Sequence, residues 1–111
     1  MVEYTLNPIS LDSIFGSLAD PTRRDILRQL TTRELSVSEI ARQYDCTLAS
    51  VSKHLKILEK ARLIIKNRHG KQQIVQISPI AFKSASDYLT NYEALWNDRF
   101  DRLQMLLKEE K

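Results

Sequence analysis

The chain's only cysteine, one of its two histidines, and a serine and lysine at a catalytic spacing fall within nine residues, Cys46-Thr47-Leu48-Ala49-Ser50-Val51-Ser52-Lys53-His54. Ser50 and Lys53 have the S-x-x-K spacing of a serine nucleophile with a lysine base. So short a pattern needs partner motifs. The chain has no glycine-rich phosphate loop, no nucleophile elbow and no acid pair clustered beside a histidine, so the sequence points away from an enzyme. Cys46 is the only cysteine, which excludes an internal disulfide and a Cys-rich metal site. Because it directly precedes Thr47, a candidate helix cap, its thiol could be activated by the helix N-terminus and serve as a redox signal. The competing expectation is a small buried residue. His54 and His69 lie on different elements, and neither has a second ligand at i, i+4 spacing, so no metal or other cofactor is expected.

The same stretch suits a different kind of chemistry. Small and polar residues at 47–53 give way to an apolar ladder of Leu55, Leu58, Ala61 and Ile64. A helix so divided can approach base edges closely with its first turns and anchor itself with its later ones. Charge supports a polyanion partner. Residues 22–71 hold twelve Lys or Arg against five Asp or Glu, net +7, while the remainder holds five against nine, net −4, which together give the chain's +3. A basic middle between acidic ends fits a nucleic-acid face on a differently employed scaffold, although a solvated charged surface has the same composition.

The elements that must position these residues follow from periodicity and punctuation. Leu11, Ile14, Phe15 and Leu18 recur at helical spacing behind Ser10, predicting a short helix to about Ala19. Asp20 and Pro21 form a cap and first-position pair for a second helix carried by Ile26, Leu27 and Leu30. Residues 31–35 break the pattern. Ser36 and Glu39 make a capping box for a short third helix with Val37, Ile40, Ala41 and Tyr44 on its inner side. Thr47 caps a fourth helix to about Ala61, with Val51, Leu55, Leu58 and Ile57 facing inward. Residues 63–67 and 72–78 read as two strands of a hairpin around Arg68-His69-Gly70-Lys71. Pro79 opens a helix whose stripe runs through Ala81, Ala85, Tyr88, Tyr92, Trp96, Phe100, Leu103 and Leu107. At 1.5 Å per residue it reaches roughly 40 Å, more than a small domain can cover, so part of the stripe is expected to meet another subunit.

Two short helices with a tight turn, followed by a basic hairpin, make a helix-turn-helix with an appended wing. One domain spans residues 1–111, with the helix-turn-helix at about 36–61, the wing at about 62–78 and the last helix at about 79–108. Thr47, Leu48, Ala49, Ser50, Ser52, Lys53, His54 and Lys56 are the candidate DNA-contacting residues of the fourth helix. Arg68, His69 and Lys71 are those of the wing, entering the minor groove or pairing with phosphates. Burial is the competing fate for Leu48, and packing beneath the wing for His54. Arg23 and Arg24 oppose the dipole of the helix they begin, so they need either phosphate contacts or an intramolecular ion pair.

FGSLADPTRRDIL, LSVSEIARQYDC, SVSKHLKILEKARLI and NRHGKQQIVQIS together resemble the ArsR family of winged helix-turn-helix repressors. The resemblance runs from about Leu11 to Leu107. It implies a mainly α fold with a small β-hairpin and long N- and C-terminal dimerisation helices. It also implies a homodimer that binds an inverted-repeat operator and represses transcription. On this resemblance Leu11, Ile14, Phe15, Tyr88, Tyr92, Trp96, Phe100, Leu103 and Leu107 form the dimer interface. Family members that sense metals often carry Cys-x-Cys in the third helix, and here Ser36 and Ser38 stand at those places. Others use Asp and His on the last helix, and no histidine follows His69. Hydroxyls do not replace thiolates or imidazoles for such metals.

A rival reading makes the aromatic last helix a docking element for another protein or an unknown effector, with weak or non-specific DNA binding. No apolar stretch approaches the roughly 18 residues of a membrane span, so no membrane partner is expected. The N-terminus MVEYTLNPIS has no basic start or apolar h-region, and a cytoplasmic location is the default expectation.

Overall fold

The computed structural model describes residues 10–109. Residues 1–9, read above for signal character, lie outside the described residues. In chain order the elements are α1 (Leu11–Ser17), α2 (Pro21–Leu30), β1 (Leu35–Ser36), α3 (Val37–Gln43), α4 (Leu48–Lys60), β2 (Ile64–His69), β3 (Gln72–Ile77) and α5 (Pro79–Glu109).

Four helices begin where a short polar side chain takes over an orphan N–H. Oγ of Ser10 accepts from the Ser13 amide at 3.2 Å, and Oδ2 of Asp20 accepts from that of Arg23 at 3.0 Å, with Pro21 at the first helical position. Ser36 and Glu39 complete their capping box, at 3.1 Å from the Glu39 amide and 2.8 Å from the Ser36 amide. Thr47 accepts from the Ser50 amide at 3.1 Å. Asp20 and Glu39 titrate below their ordinary values because each carboxylate accepts a backbone N–H, from Arg23 and Ser36 respectively.

The exit from α4 is set just as locally. The Arg62 amide bonds the Glu59 carbonyl at 3.0 Å and the Leu63 amide bonds that of Leu58, also at 3.0 Å. This pair of bonds is a Schellman motif, and it holds Arg62 at φ 66° in the left-handed region. Leu58 and Leu63, both buried, supply the apolar contact that accompanies the motif.

The sheet has order β1-β3-β2, all antiparallel, so the hairpin carries a third short strand. β1 pairs Leu35 with Val75 and Ser36 with Ile74. Two residues are too few to show alternation, which is why residues 31–35 read only as a break in helical periodicity. The strands extend further toward the tip than expected: Arg68 and His69 belong to β2, and His69 pairs with Gln72 across a two-residue Gly70-Lys71 turn. Gly70 has φ 64°, and a positive φ at the first turn position is what a type II′ hairpin turn needs.

The core joins Ile14 of α1, Ile26 and Leu30 of α2, Ile40 of α3, Leu55 and Leu58 of α4, and Val75 of β3. Three expectations are corrected. Ile14, assigned above to a dimer interface, is 0% exposed and lies inside the protomer core. Its neighbours Leu11 and Phe15 are partly buried against that core. Among the described residues the first helix is not long: α1 has seven residues and ends at Ser17, because Ser10 starts it and the α2 cap Asp20 follows closely. Ile57, expected to face inward, is 41% exposed because Leu55 and Leu58 already fill the inner face of α4.

α5 is the outlier in shape. Of its 31 residues only Ala81 and Ala85 are buried. At 1.5 Å per residue it spans about 46 Å. The Cα radius of gyration is 18.8 Å, against about 13 Å for a compact domain of this length. Most of the helix therefore projects away from the core. Tyr88, Tyr92, Trp96 and Phe100 run along it as an aromatic ladder with centroid separations of 5.8, 5.8 and 5.4 Å, and Phe15 of α1 joins at 6.1 Å from Tyr88.

Candidate nucleic-acid interface

The small, polar start of α4 is presented outward. Thr47, Ala49, Ser52, Lys53 and Lys56 are exposed, and Ser50 is half-buried. Leu48 is 58% exposed, which removes burial as its fate. Val51, Leu55 and Leu58 fasten the opposite face to the core. α3 packs against α4 across the turn at 44–47, completing the helix-turn-helix. Arg68, His69 and Lys71 are exposed at the far end of the hairpin. Cys46 is also exposed, contrary to the expectation of a buried residue, as are its neighbours Asp45 and Thr47. Its amide donates to the Tyr44 carbonyl at 2.8 Å.

His54, like Ser50, is half-buried. It meets the start of α2 rather than packing beneath the wing: Nδ1 lies 3.2 Å from Nη1 of Arg23 and 3.9 Å from Oδ2 of Asp20. Guanidinium can only donate, so Nδ1 accepts and the ring proton of the neutral imidazole sits on Nε2.

Within the protomer Arg23 and Arg24 close a helix end. Nε of Arg23 donates to the Ser17 carbonyl at 2.7 Å, its Nη2 reaches that of Gly16 at 3.4 Å, and Nη1 of Arg24 donates to that of Leu18 at 2.8 Å. These carbonyls lie at the end of α1, where that of Gly16 also accepts from the Ala19 amide at 3.2 Å. The two guanidiniums thus satisfy one helix end from the start of the next, which also suits the negative end of the α1 dipole.

A second network was not legible in the sequence. Tyr44, at the end of α3, donates its hydroxyl to Oδ2 of Asp25 in α2. Gln29 bonds both, at 3.1 Å each, and Arg28 Nη2 meets Asp25 Oδ1 at 2.5 Å. The Tyr44 hydroxyl and Arg28 hold the Asp25 carboxyl below its ordinary value, while partial burial and the Asp25 carboxylate push the Tyr44 phenol up. Both shifts favour a charged Asp25 and a neutral Tyr44, the states in which their bond is strongest. The network fixes α3 to α2. An i, i+4 pair with a tyrosine nineteen residues away leaves no local pattern to find.

Among the described residues no cluster of three or more His, Cys, Asp or Glu side chains could hold a metal ion, and no helix is long and apolar enough to cross a membrane. Oγ of Ser36 is occupied as the α3 cap.

Comparison with known proteins agrees with this geometry. A family model described as a helix-turn-helix domain matches residues 18–66. The chain is 31% identical over 101 residues to the HTH-type transcriptional regulator Rv2034 of Mycobacterium tuberculosis, covering 91% of this chain and 92% of that protein. It is 27% identical over 82 residues to the transcriptional repressor SdpR of Bacillus subtilis, covering 74% and 91%. The crystal structure of an ArsR family transcriptional regulator, RHA00566, superposes with a TM-score of 0.74 at 34% identity, covering 78% of this chain and 90% of that one.

Proposed function

This chain belongs to the ArsR family of winged helix-turn-helix transcriptional regulators, and on that premise we propose that it is a sequence-specific, homodimeric repressor of an inverted-repeat operator. The observation that carries the reading is the outward face of α4: seven residues from Thr47 to Lys53 with only Val51 buried, ending in an exposed lysine. Thr47, Ala49, Ser50, Ser52 and Lys53 approach the base edges, Leu48 meets a thymine methyl, and Lys56 takes a phosphate. Arg68, His69 and Lys71 grip the flanking minor groove or backbone. His54 acts from behind, through its contact with Arg23. The repressor SdpR among the relatives supports repression as the outcome. A cytoplasmic location follows from a DNA target, and catalysis has no part in this reading.

The dimer is supported by α5. Leu89, Tyr92, Trp96, Phe100 and Leu103 are all exposed, all apolar, and spaced symmetrically about Trp96. Upstream, α5 and α1 enclose an open apolar groove of about 560 Å³ floored by Phe15, Leu18, Phe82 and Leu89. Downstream, Leu103 and Leu107 project with nothing to cover them. A second copy running antiparallel across Trp96 lays its projecting leucines over this groove, and the twofold places two α4 helices for two half-sites. Leu11 and Phe15 border that contact, and Tyr88 supports it through its ladder with Phe15 and Tyr92.

The reading is tested by binding to a labelled fragment from upstream of the chain's own gene, with unrelated competitor DNA, at two salt concentrations. Saturable binding that survives competitor, weakens with salt and loses about 1–3 kcal/mol in Lys53→Ala is the expected result. Equal affinity for both DNAs overturns it and turns attention to a protein partner for α5.

A further inference from the structure

Five acidic residues lie in the basic segment 22–71, and four of them, all but Asp45, meet a partner. Each weakens attraction to a polyanion, so each calls for a local reason. Asp25 holds Tyr44 and Arg28, and Glu39 closes the α3 capping box. Glu34 and Glu59 do something different: from opposite sides, both reach the wing.

Oε1 of Glu59, in the last turns of α4, lies 3.3 Å from Nζ of Lys66 on β2. The Lys66 side chain is only 20% exposed, unusual for a lysine, and its backbone is paired with Val75 of the core. On the other strand, Gln76 donates its side-chain amide to Glu34, just ahead of β1. Nδ2 of Asn67 approaches Oε1 of the same Gln76 at 3.5 Å, carrying the tie back to β2.

These ties matter because of where the wing is hinged. Only Ala61, Arg62 and Leu63 separate α4 from β2. The tip at Gly70 lies four residues beyond Lys66, roughly 13 Å at 3.3 Å per strand residue. A small rotation of the hairpin at its base is therefore magnified at Arg68, His69 and Lys71. Lys66 and Gln76 carry the side-chain ties at the base of the hairpin, beside the backbone pairs of β1 with β3.

We propose that Glu59, with Glu34 as its counterpart on the other edge, is a positioning residue that sets the wing against α4 and so contributes to DNA specificity at the cost of general attraction. This rests on the DNA-binding reading above. Lys66, although basic and on the wing, is held by Glu59 and is not one of the DNA contacts.

Charge and positioning predict opposite signs, which makes the inference testable. Glu59→Gln removes a negative charge; acting through charge alone, it strengthens binding to every DNA. Acting through position, it weakens operator binding about threefold while non-specific binding rises. Both affinities are measured by fluorescence anisotropy, on the operator fragment and on a scrambled duplex of equal length. The exchange variant Glu59→Lys with Lys66→Glu keeps the net charge and rebuilds the pair in reverse, and it returns operator affinity to within about twofold of the parent. Hydroxyl-radical footprints of Glu59→Gln lose protection at the flanks that the wing covers and keep it in the half-site centres. Operator and scrambled affinities rising by the same factor, or an exchange variant no better than Glu59→Gln, overturns the inference and leaves the DNA-binding reading intact. A parent chain that does not distinguish the two duplexes overturns that reading, and this inference with it.

Discussion

Nη1 of Arg23 lies 3.2 Å from Nδ1 of His54, so the guanidinium that closes the end of α1 also holds the helix proposed to read DNA. One side chain in α2 therefore joins three helices. Arg23→Ala releases the Ser17 and Gly16 carbonyls and the imidazole together. A loss of about 1–2 kcal/mol in urea unfolding is expected, because the Ser17 carbonyl sits beside a buried side chain where water replaces the donor poorly. Arg23→Lys recovers only part of this, since a point charge cannot reach carbonyl and imidazole at once. Equal stability of the parent chain and both variants, Arg23→Ala and Arg23→Lys, would show that solvent serves these groups as well as arginine does.

The role of Arg23 marks the boundary of what the sequence discloses. Caps are local: Ser10, Asp20, Ser36 with Glu39, and Thr47 act on amides three residues away, and all four were readable from spacing alone. The periodicity of α4 and the glycine of the hairpin turn were readable for the same reason. Arg23 and Arg24, by contrast, act backwards across a turn on the preceding helix, and Asp25 meets Tyr44 across nineteen residues. Ile14 carries the same apolar signal as Phe15, and only packing decides that one is enclosed and the other half-open. β1 was invisible because its two residues are made a strand by β3. Of the candidate site, the exposed first turns of α4 and the hairpin tip carry a local pattern of small, polar and basic residues; the acids that meet the hairpin, Glu59 and Glu34, leave no such pattern.

Arg62 occupies a backbone conformation that suits glycine. Its φ of 66° places an arginine at the left-handed position of the Schellman motif closing α4. A side chain there costs on the order of 1–2 kcal/mol relative to the ordinary helical region. Glycine relieves that strain but gives the unfolded chain more freedom, worth roughly 0.5–1 kcal/mol in the other direction. Arg62→Gly is expected to raise stability by about 0.5–1 kcal/mol, read as a higher urea midpoint at unchanged slope. A lower midpoint would mean that the Arg62 side chain itself stabilises the fold.

Asp25 ties stability to acid. Its carboxyl lies below the ordinary value of 3.8, chiefly because the Tyr44 hydroxyl and Arg28 bond the charged form. A group depressed in the native state contributes its full stabilisation above its unfolded value and loses it as pH falls through the native value. The contribution is thus constant at neutral pH and fades below about pH 4. Asp25→Asn should be less stable than the parent at pH 7, with the two converging as pH falls. Asp20 and Glu39 are lowered as well, so the variant keeps some acid sensitivity. A gap between the two chains that stays constant to pH 2 would dissociate the Asp25 charge from the network.

The orientation of the proposed dimer can be read from cysteine pairs, because Cys46 is the chain's only thiol and Cys46→Ser gives a clean background. Leu89 and Leu103 sit seven residues either side of Trp96, both about half exposed, so replacing either leaves the core intact. With α5 antiparallel and centred on Trp96, residue 89 of one protomer faces residue 103 of the other. Leu89→Cys and Leu103→Cys chains, one of them size-tagged, should then form a disulfide only when mixed, since like residues stand too far apart to bridge. A parallel pair reverses this: each variant cross-links with itself and the mixture adds nothing. Sedimentation separates both cases from a chain that does not self-associate. A monomer at micromolar concentration would remove the twofold that brings two α4 helices to two half-sites, and with it the inverted-repeat operator.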